Sequence, residues 1–134
     1  MKEILLNSRD RHQMIDVTGQ VCEILLEDGL QEGAVVLQSL HTTSALTINE
    51  SADPDVSKDI LAKLENLVPH REVFYQHSEG NSDSHLKAST FGSSLTVLVH
   101  EGSLVLGTWQ GIFFCEFDGP RNGRRIAVQI LRAD

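Results

Sequence analysis

The sequence is poor in the residues that define several special classes of protein. Its 134 residues include two cysteines, three prolines, one tryptophan and one tyrosine. Cys22 and Cys115 are too few for a disulfide-dense scaffold, and their spacing is not that of a metal-binding pair. We therefore expect both to be free, buried thiols. No tract rich in proline, glycine or serine interrupts the chain, which excludes a flexible linker between domains.

Long apolar runs and positive charge are also scarce. Runs such as "IFFC" and "EILL" are too short to cross a bilayer, and the start "MKEILLNSRDR" has no apolar core followed by a cleavage site. We expect a cytoplasmic protein that does not contact membranes. A net charge of −8 argues against binding nucleic acid through its phosphates. Small-molecule chemistry is the class that these absences leave open.

What the sequence does contain is the composition of one soluble globular domain. Apolar residues make up 40% of the chain and charged residues 22%. A length of 134 residues is close to the modal domain size, and no internal repeat divides the chain. We expect a single domain over residues 1–134.

Hydrophobic spacing predicts a mixture of helices and short strands. Helical spacing occurs over residues 16–29 and 53–68, and residues 83–92 form a short helix or an irregular turn. Strands are predicted over residues 2–8, 34–40, 45–50 and 72–77, with four more in the last third separated by glycine-containing turns. The pattern predicts an α+β fold whose sheet is largely antiparallel, with two to three helices.

Histidines and one carboxylate lie at the ends of these predicted strands. If the strands are neighbours, His41, Glu50, His77 and His85 can converge. Three imidazoles and a carboxylate suit Zn²⁺ or a similar divalent ion. The spacing does not force any two of them onto one face, so hydrogen-bonded structural histidines are the alternative. We expect the remaining histidines to lie in turns or at the surface: His12, His70 and His100.

Several segments resemble, in order and across nearly the whole chain, the YjbQ-like family, also called the secondary thiamine-phosphate synthase family. They are "HTTSALTINESADPDV", "SEGNSDSHLKAS", "LVLGTWQGIFFCEFDGPR" and the closing strand. The resemblance implies a single α+β domain with a β-sandwich-like core, assembled as a homotrimer. It also implies a reaction, credited to family members as a side activity, that joins a pyrimidine diphosphate to a thiazole phosphate.

The same resemblance implies a set of site residues. The catalytic candidates are Glu50, His41 and His85, and the metal ligands are His41, His77 and His85. The substrate-binding candidates are Thr42, Asn81, Lys87, Trp109, Gln110 and Arg121. Zn²⁺ fits this ligand set best, whereas Mg²⁺ is expected if the thiamine-phosphate reaction is native.

Two departures from the family pattern leave details open. Gly80 stands where many members have an acidic residue before the matching asparagine. Asn122 and Gly123 both separate the "DGPR" turn from the next basic residue, so either Arg124 or Arg125 can be its counterpart.

Two classes of function follow from these residues. The first is a metal-binding enzyme, a transferase or a metal-dependent hydrolase, that acts on a phosphorylated heterocyclic metabolite. In this reading Arg121 binds phosphate, Trp109 forms an aromatic wall and Glu50 transfers a proton. The alternative is a non-catalytic regulatory trimer that binds a metal and a metabolite.

Overall fold

The computed structural model describes residues 1–133, which form three helices and eight strands. The predicted α+β fold and the number of helices are confirmed. In chain order the elements are β1 (Lys2–Leu6), β2 (Gln13–Asp16), α1 (Thr18–Asp28), β3 (Gly33–Ser39), β4 (Ser44–Glu50), α2 (Pro54–Leu67), α3 (Ser82–Phe91), β5 (Ser94–His100), β6 (Ser103–Leu104), β7 (Gln110–Glu116) and β8 (Arg124–Arg132).

The strands form two antiparallel sheets. The larger sheet has the order β1-β8-β3-β5-β6, and the smaller has the order β2-β7-β4. In the smaller sheet Ser44 pairs with Glu116 and Glu50 pairs with Gln110. The start of β4 therefore lies beside the end of β7, and this register determines which loops meet at the site.

The smaller sheet is covered on both faces. On β7, Ile112 and Phe114 pack in the core between the two sheets, whereas Phe113 and Cys115 pack in a second core beneath α2 and α3. Successive side chains of a strand point to opposite faces, so an uninterrupted apolar run is what a doubly buried strand requires. The "IFFC" run is such a strand.

Two of the helices begin where the sequence supplies an acceptor for their first amides. The Asp53 carboxylate accepts a hydrogen bond from the Asp55 amide at 2.9 Å, and Pro54 follows at the first helical position. At α1 the Asp16 carboxylate accepts from the Thr18 amide at 2.9 Å. The segment over 83–92, predicted as a helix or an irregular turn, is the helix α3, which Gly92 ends at a φ of 98°.

Three local predictions are wrong. Residues 72–77 form turns instead of a strand: Val73 and Phe74 are exposed to solvent, and the Tyr75 amide bonds the carbonyl of Glu72. The strand β2, whose pairing with β7 is non-local, lies in a segment for which no strand was predicted. Cys22 is exposed, whereas Cys115 is buried; both thiols are free.

None of the helices in residues 1–133 is long and apolar enough to cross a membrane.

Candidate functional site

Three loops meet at one end of the smaller sheet and enclose a cleft of about 330 Å³. They are the corner between β3 and β4, the segment entering α3, and the turn after β7. The cleft brings together five of the predicted site residues: His41, Thr42, Asn81, His85 and Arg121. Its other lining residues are Leu40, Thr43, Glu79, Asp118 and Arg124.

A buried ion pair forms the base of this cleft. Arg124 donates to both carboxylate oxygens of Glu116, which is fully buried. Burial alone would raise the pKa of Glu116, but hydrogen bonds from Arg124 and Ser8 outweigh it and hold the pKa below its usual value. Arg124 also donates to the hydroxyl of Thr43 at 2.9 Å. The charge of Arg124 is therefore compensated by Glu116, and the main role of Arg124 is to hold the loops of the cleft in position.

Arg121 is the accessible guanidinium of the cleft. Its side chain is about half exposed, and it contacts the Asp118 carboxylate at 3.0 Å. The side-chain amide of Asn81 donates to the same Asp118 oxygen at 2.8 Å. A carboxylate can only accept, so this bond fixes the orientation of the Asn81 amide.

This orientation leaves a buried acceptor unpaired. Asn81 Oδ1 is the buried side-chain atom, among residues 1–133, that has no hydrogen-bond partner. Asn81 stands at the N-cap of α3, where asparagine usually accepts from a helix amide, yet it makes no such bond. An unsatisfied buried acceptor costs about 1–3 kcal/mol. Such a group is a reason to expect a donor to arrive from outside the chain.

The imidazole of His41 is fixed by the backbone of β8. The Arg125 amide donates to His41 Nε2 at 2.8 Å, so in the neutral ring Nδ1 carries the proton. Burial, followed by the charges of Arg124 and Arg125, lowers the pKa of His41. His41 is thus held as a neutral imidazole with one N–H available as a donor.

The three histidines predicted as metal ligands do not converge within one chain. The rings of His77 and His85 are adjacent, with centroids 5.3 Å apart. In residues 1–133, however, these two and His41 do not form a group whose ligand atoms lie within 4.8 Å of one another. The Nε2 lone pair of His41 is also engaged by Arg125. The set does not fit a three-histidine metal centre in this arrangement, and metal binding stays a prediction.

The described residues do contain one cluster of metal-type ligands, and a lysine occupies it. His12, Glu65 and Asp83 place one ligand atom each within 4.8 Å of one another. Lys87 Nζ bonds all three, at 2.7 Å, 2.8 Å and 2.9 Å respectively. Three acceptors satisfy the three donors of an ammonium group. The cation that this cluster binds is therefore the ammonium group of Lys87.

Lys87 consequently does not reach the cleft. Its side chain is fully buried, and it does not line the cleft that contains Arg121. Asp83 is held from its other side by two hydrogen bonds from Arg11. Burial opposes ionisation of Asp83, but Arg11 and Lys87 outweigh it and lower its pKa to about 2. His12 was expected in a turn or at the surface; it lies in the bend before β2, but its side chain is only 14% exposed and contacts Lys87.

Three further predicted residues lie at the opposite end of the smaller sheet. Glu50 pairs with Gln110, and Trp109 accepts a hydrogen bond through its carbonyl from the Ser51 amide. The six residue steps of β4 separate this group from the cleft by about 20 Å. Within one chain, Glu50 therefore cannot act on a group bound beside His41. Trp109 is 62% exposed.

The "DGPR" turn positions Arg121 through close backbone contacts. The bond between Gly119 and Pro120 is cis. A Cβ on Gly119 would collide with the carbonyl of Asp10 and the hydroxyl of Ser8. Glycine is needed at this position because of this close approach, since Gly119 is not among the glycines with positive φ. Ser8 also accepts from the Arg121 amide at 2.9 Å.

A larger cleft of about 810 Å³ adjoins the first. The two share the side chains of Leu40, His41, Thr42 and His85. A third, apolar cleft of about 570 Å³ lies on the other side of His85, beside Phe74, Tyr75, His77 and Leu86.

Sequence reasoning missed the ion cluster around Asp83. Its members come from three distant segments: Arg11, His12, Glu65, Asp83 and Lys87. One signal was present, because Asp83 and Lys87 are four residues apart and face each other on a helix. The contributions of Arg11, His12 and Glu65 depend on the tertiary fold.

Comparison with known proteins agrees with this fold and these motifs. A family described as UPF0047 protein YjbQ-like matches residues 2–133. The chain belongs to the YjbQ/UPF0047 family. It is 47% identical over 121 residues to UPF0047 protein YugU of Bacillus subtilis, covering 90% of this chain and 92% of that protein. It is 43% identical over 126 residues to UPF0047 protein MJ1081 of Methanocaldococcus jannaschii, covering 94% and 90%.

Solved structures of the family show the same architecture. A crystal structure of an uncharacterised YjbQ/UPF0047 protein from Clostridium acetobutylicum has a TM-score of 0.95 at 46% identity, covering 98% of this chain and 100% of that one. A YbjQ-like protein of unknown function from Sulfolobus solfataricus has a TM-score of 0.93 at 33% identity, covering 98% and 95%. These names state no activity, so function has to be argued from the site.

Proposed function

We propose that this protein binds a phosphorylated small molecule in the cleft beside Arg121, and that the family-implied transfer of a pyrimidine diphosphate to a thiazole phosphate is the reaction to test first. One observation carries the proposal. An accessible guanidinium, an imidazole N–H and a buried acceptor without a donor lie in one cleft built by three separate loops.

Charge and geometry support an anionic ligand at this position. Guanidinium groups bind phosphate through two parallel hydrogen bonds, and the side chain of Arg121 is exposed enough to make them. His41, held neutral, adds an N–H donor without adding charge. A ligand that also carries an N–H or O–H donor would satisfy Asn81 Oδ1. The charged side chains that line the cleft are Glu79, Asp118, Arg121 and Arg124, and Asp118 already contacts Arg121, so a bound phosphate would have to share or replace that contact.

The side chains of the cleft could contribute directly to the proposed chemistry. In the transfer reaction the thiazole nitrogen forms a bond to the pyrimidine methylene carbon as the bond from that carbon to the diphosphate oxygen breaks. The electron pair leaves with the diphosphate. Arg121 and the His41 N–H would stabilise the charge that develops on this leaving group. His85, on the shared wall of the two clefts, is the candidate to donate a proton to it.

A non-catalytic binding protein is the second candidate. It is favoured by the position of Glu50, the residue predicted as the base, about 20 Å from His41 in the same chain. In this case the cleft would bind the phosphorylated ligand without turning it over.

We propose a homotrimer in either case. Support comes from the exposed aromatic and aliphatic side chains at two places: Val73 and Phe74 in the turns before α3, and Val105 and Trp109 near β7.

The test is a calorimetric titration of the protein with pyrophosphate. Arg121→Ala should weaken binding at least tenfold, because charge-assisted hydrogen bonds contribute about 1.5–3 kcal/mol each. Arg71→Ala, which removes an exposed arginine outside the cleft, is the matched control and should bind as the wild type does. Equal binding by all three proteins would refute the site. Turnover of the two thiamine precursors, measured on the same proteins, separates enzyme from binding protein.

A further inference from the structure

The larger of the two adjoining clefts indicates what the rest of the ligand is. This inference rests on the proposed function, because it assumes that the phosphate occupies the cleft beside Arg121. The two clefts share His41, Thr42 and His85, so a ligand can extend from one into the other along the same side chains. The side chains that line the second cleft then indicate the chemical class of the part of the ligand that carries the phosphate.

The second cleft offers uncharged hydrogen-bonding groups. In the part of the chain that the structure describes, residues 1–133, no lysine, arginine, aspartate or glutamate lines it. The exposed polar side chains along it are three hydroxyls and one amide: Gln38, Thr42, Ser89 and Ser93. Two further hydroxyls, of Ser39 and Ser44, are buried and bond each other at 2.7 Å. They stabilise the corner instead of pointing donors at a ligand.

Among residues 1–133, no phenylalanine, tyrosine or tryptophan lines the same cleft; its two aromatic rings are the imidazoles of His41 and His85, which it shares with the cleft beside Arg121. Trp109, which the sequence predicted as an aromatic wall, lies at the far end of the smaller sheet. Aromatic heterocycles are usually held between apolar and aromatic groups, whereas a polyol needs many hydrogen bonds along its length.

We infer that the ligand is a polyol phosphate of the sugar-phosphate type, with its phosphate at Arg121 and its hydroxyl-bearing body along Thr42, Ser89 and Ser93. A polyol body is a different chemical class from the heterocycles of the transfer reaction, and the probes below distinguish the two.

Three probes test this inference: inorganic phosphate, glucose 6-phosphate and phenyl phosphate, each titrated by calorimetry. Glucose 6-phosphate should bind at least tenfold more tightly than inorganic phosphate, and phenyl phosphate should show no such gain. Ser89→Ala and Ser93→Ala should each weaken glucose 6-phosphate about threefold or more, since a hydrogen bond contributes about 0.5–1.5 kcal/mol. Neither should change the affinity for inorganic phosphate.

Ser94→Ala is the matched control, because Ser94 is an exposed neighbour that does not line the cleft. It should behave as the wild type with every probe. Tighter binding of phenyl phosphate than of glucose 6-phosphate, or no effect of either serine variant, would overturn the inference while leaving the phosphate site standing. Binding of all three probes that is absent or insensitive to Arg121→Ala would instead overturn the proposed function and the inference with it.

Discussion

The backbone amide of Arg125 donates a hydrogen bond to Nε2 of His41 at 2.8 Å. This bond continues the pairing of β3 with β8 beyond Ser39, together with the bond from the Leu40 amide to the Arg125 carbonyl. His41 therefore stands at a fixed position just beyond the end of β3. Its role in the cleft is to donate from Nδ1.

The first prediction concerns zinc. Because His41 Nε2 is already engaged, His41→Ala should leave the zinc affinity of the protein unchanged within about twofold. His77 and His85 are the adjacent imidazoles, so any weak zinc binding should fall in His77→Ala. Competitive titration with a chromogenic zinc chelator measures both. A sharp loss of zinc in His41→Ala would show that His41 is a ligand after all.

The second prediction concerns the buried ammonium group. Lys87→Met should lower the free energy of unfolding by about 3–5 kcal/mol, because it leaves the fully buried Asp83 carboxylate without one of its two cations. Lys63→Met, at an exposed position of α2, should change it by less than about 0.5 kcal/mol. Urea denaturation of the three proteins checks this. Equal stability would mean that the Lys87 contacts contribute little.

The fold and the cleft show which features could be predicted from the sequence and which could not. The helical spacing over residues 53–68 and the glycine-separated strands of the last third identified α2 and β7, because both depend on local spacing. The cleft residues were identified through ordered motifs, but the expected convergence of Glu50 with His41 was wrong. The length of β4 separates the two by about 20 Å, and the predicted strand over residues 45–50 already implied this distance.

The third prediction concerns acid stability. The pKa of Asp83 is about 2 in the folded protein, below its ordinary value of 3.8. A lowered carboxyl pKa stabilises the fold fully above the unfolded value, and this contribution disappears as the pH falls from about 4 to about 2. The loss is on the order of 2 kcal/mol. Unfolding free energies measured across this range should fall in the wild type, and the exposed Asp59→Asn variant should follow the same curve. A flat wild-type profile would contradict the assignment.

The fourth prediction concerns assembly. Light scattering at micromolar concentration should give a mass near three times the 14.8 kDa of one chain. Trp109 is the single tryptophan, so its fluorescence reports directly on whether assembly covers it. Dilution into the monomer range should then shift its emission to longer wavelength. A monomer mass at micromolar concentration would refute the trimer.

The most direct test of the phosphate site is a titration of the ¹⁵N-labelled protein with pyrophosphate, followed by amide chemical shifts. We predict shifts over residues 41–43, 79–85 and 118–125, with the Arg125 amide among the largest because it bonds the His41 ring. The chemical shifts of the Glu50, Trp109 and Gln110 amides should not change. Shifts confined to residues 50 and 109–110, with residues 118–125 unmoved, would contradict the account.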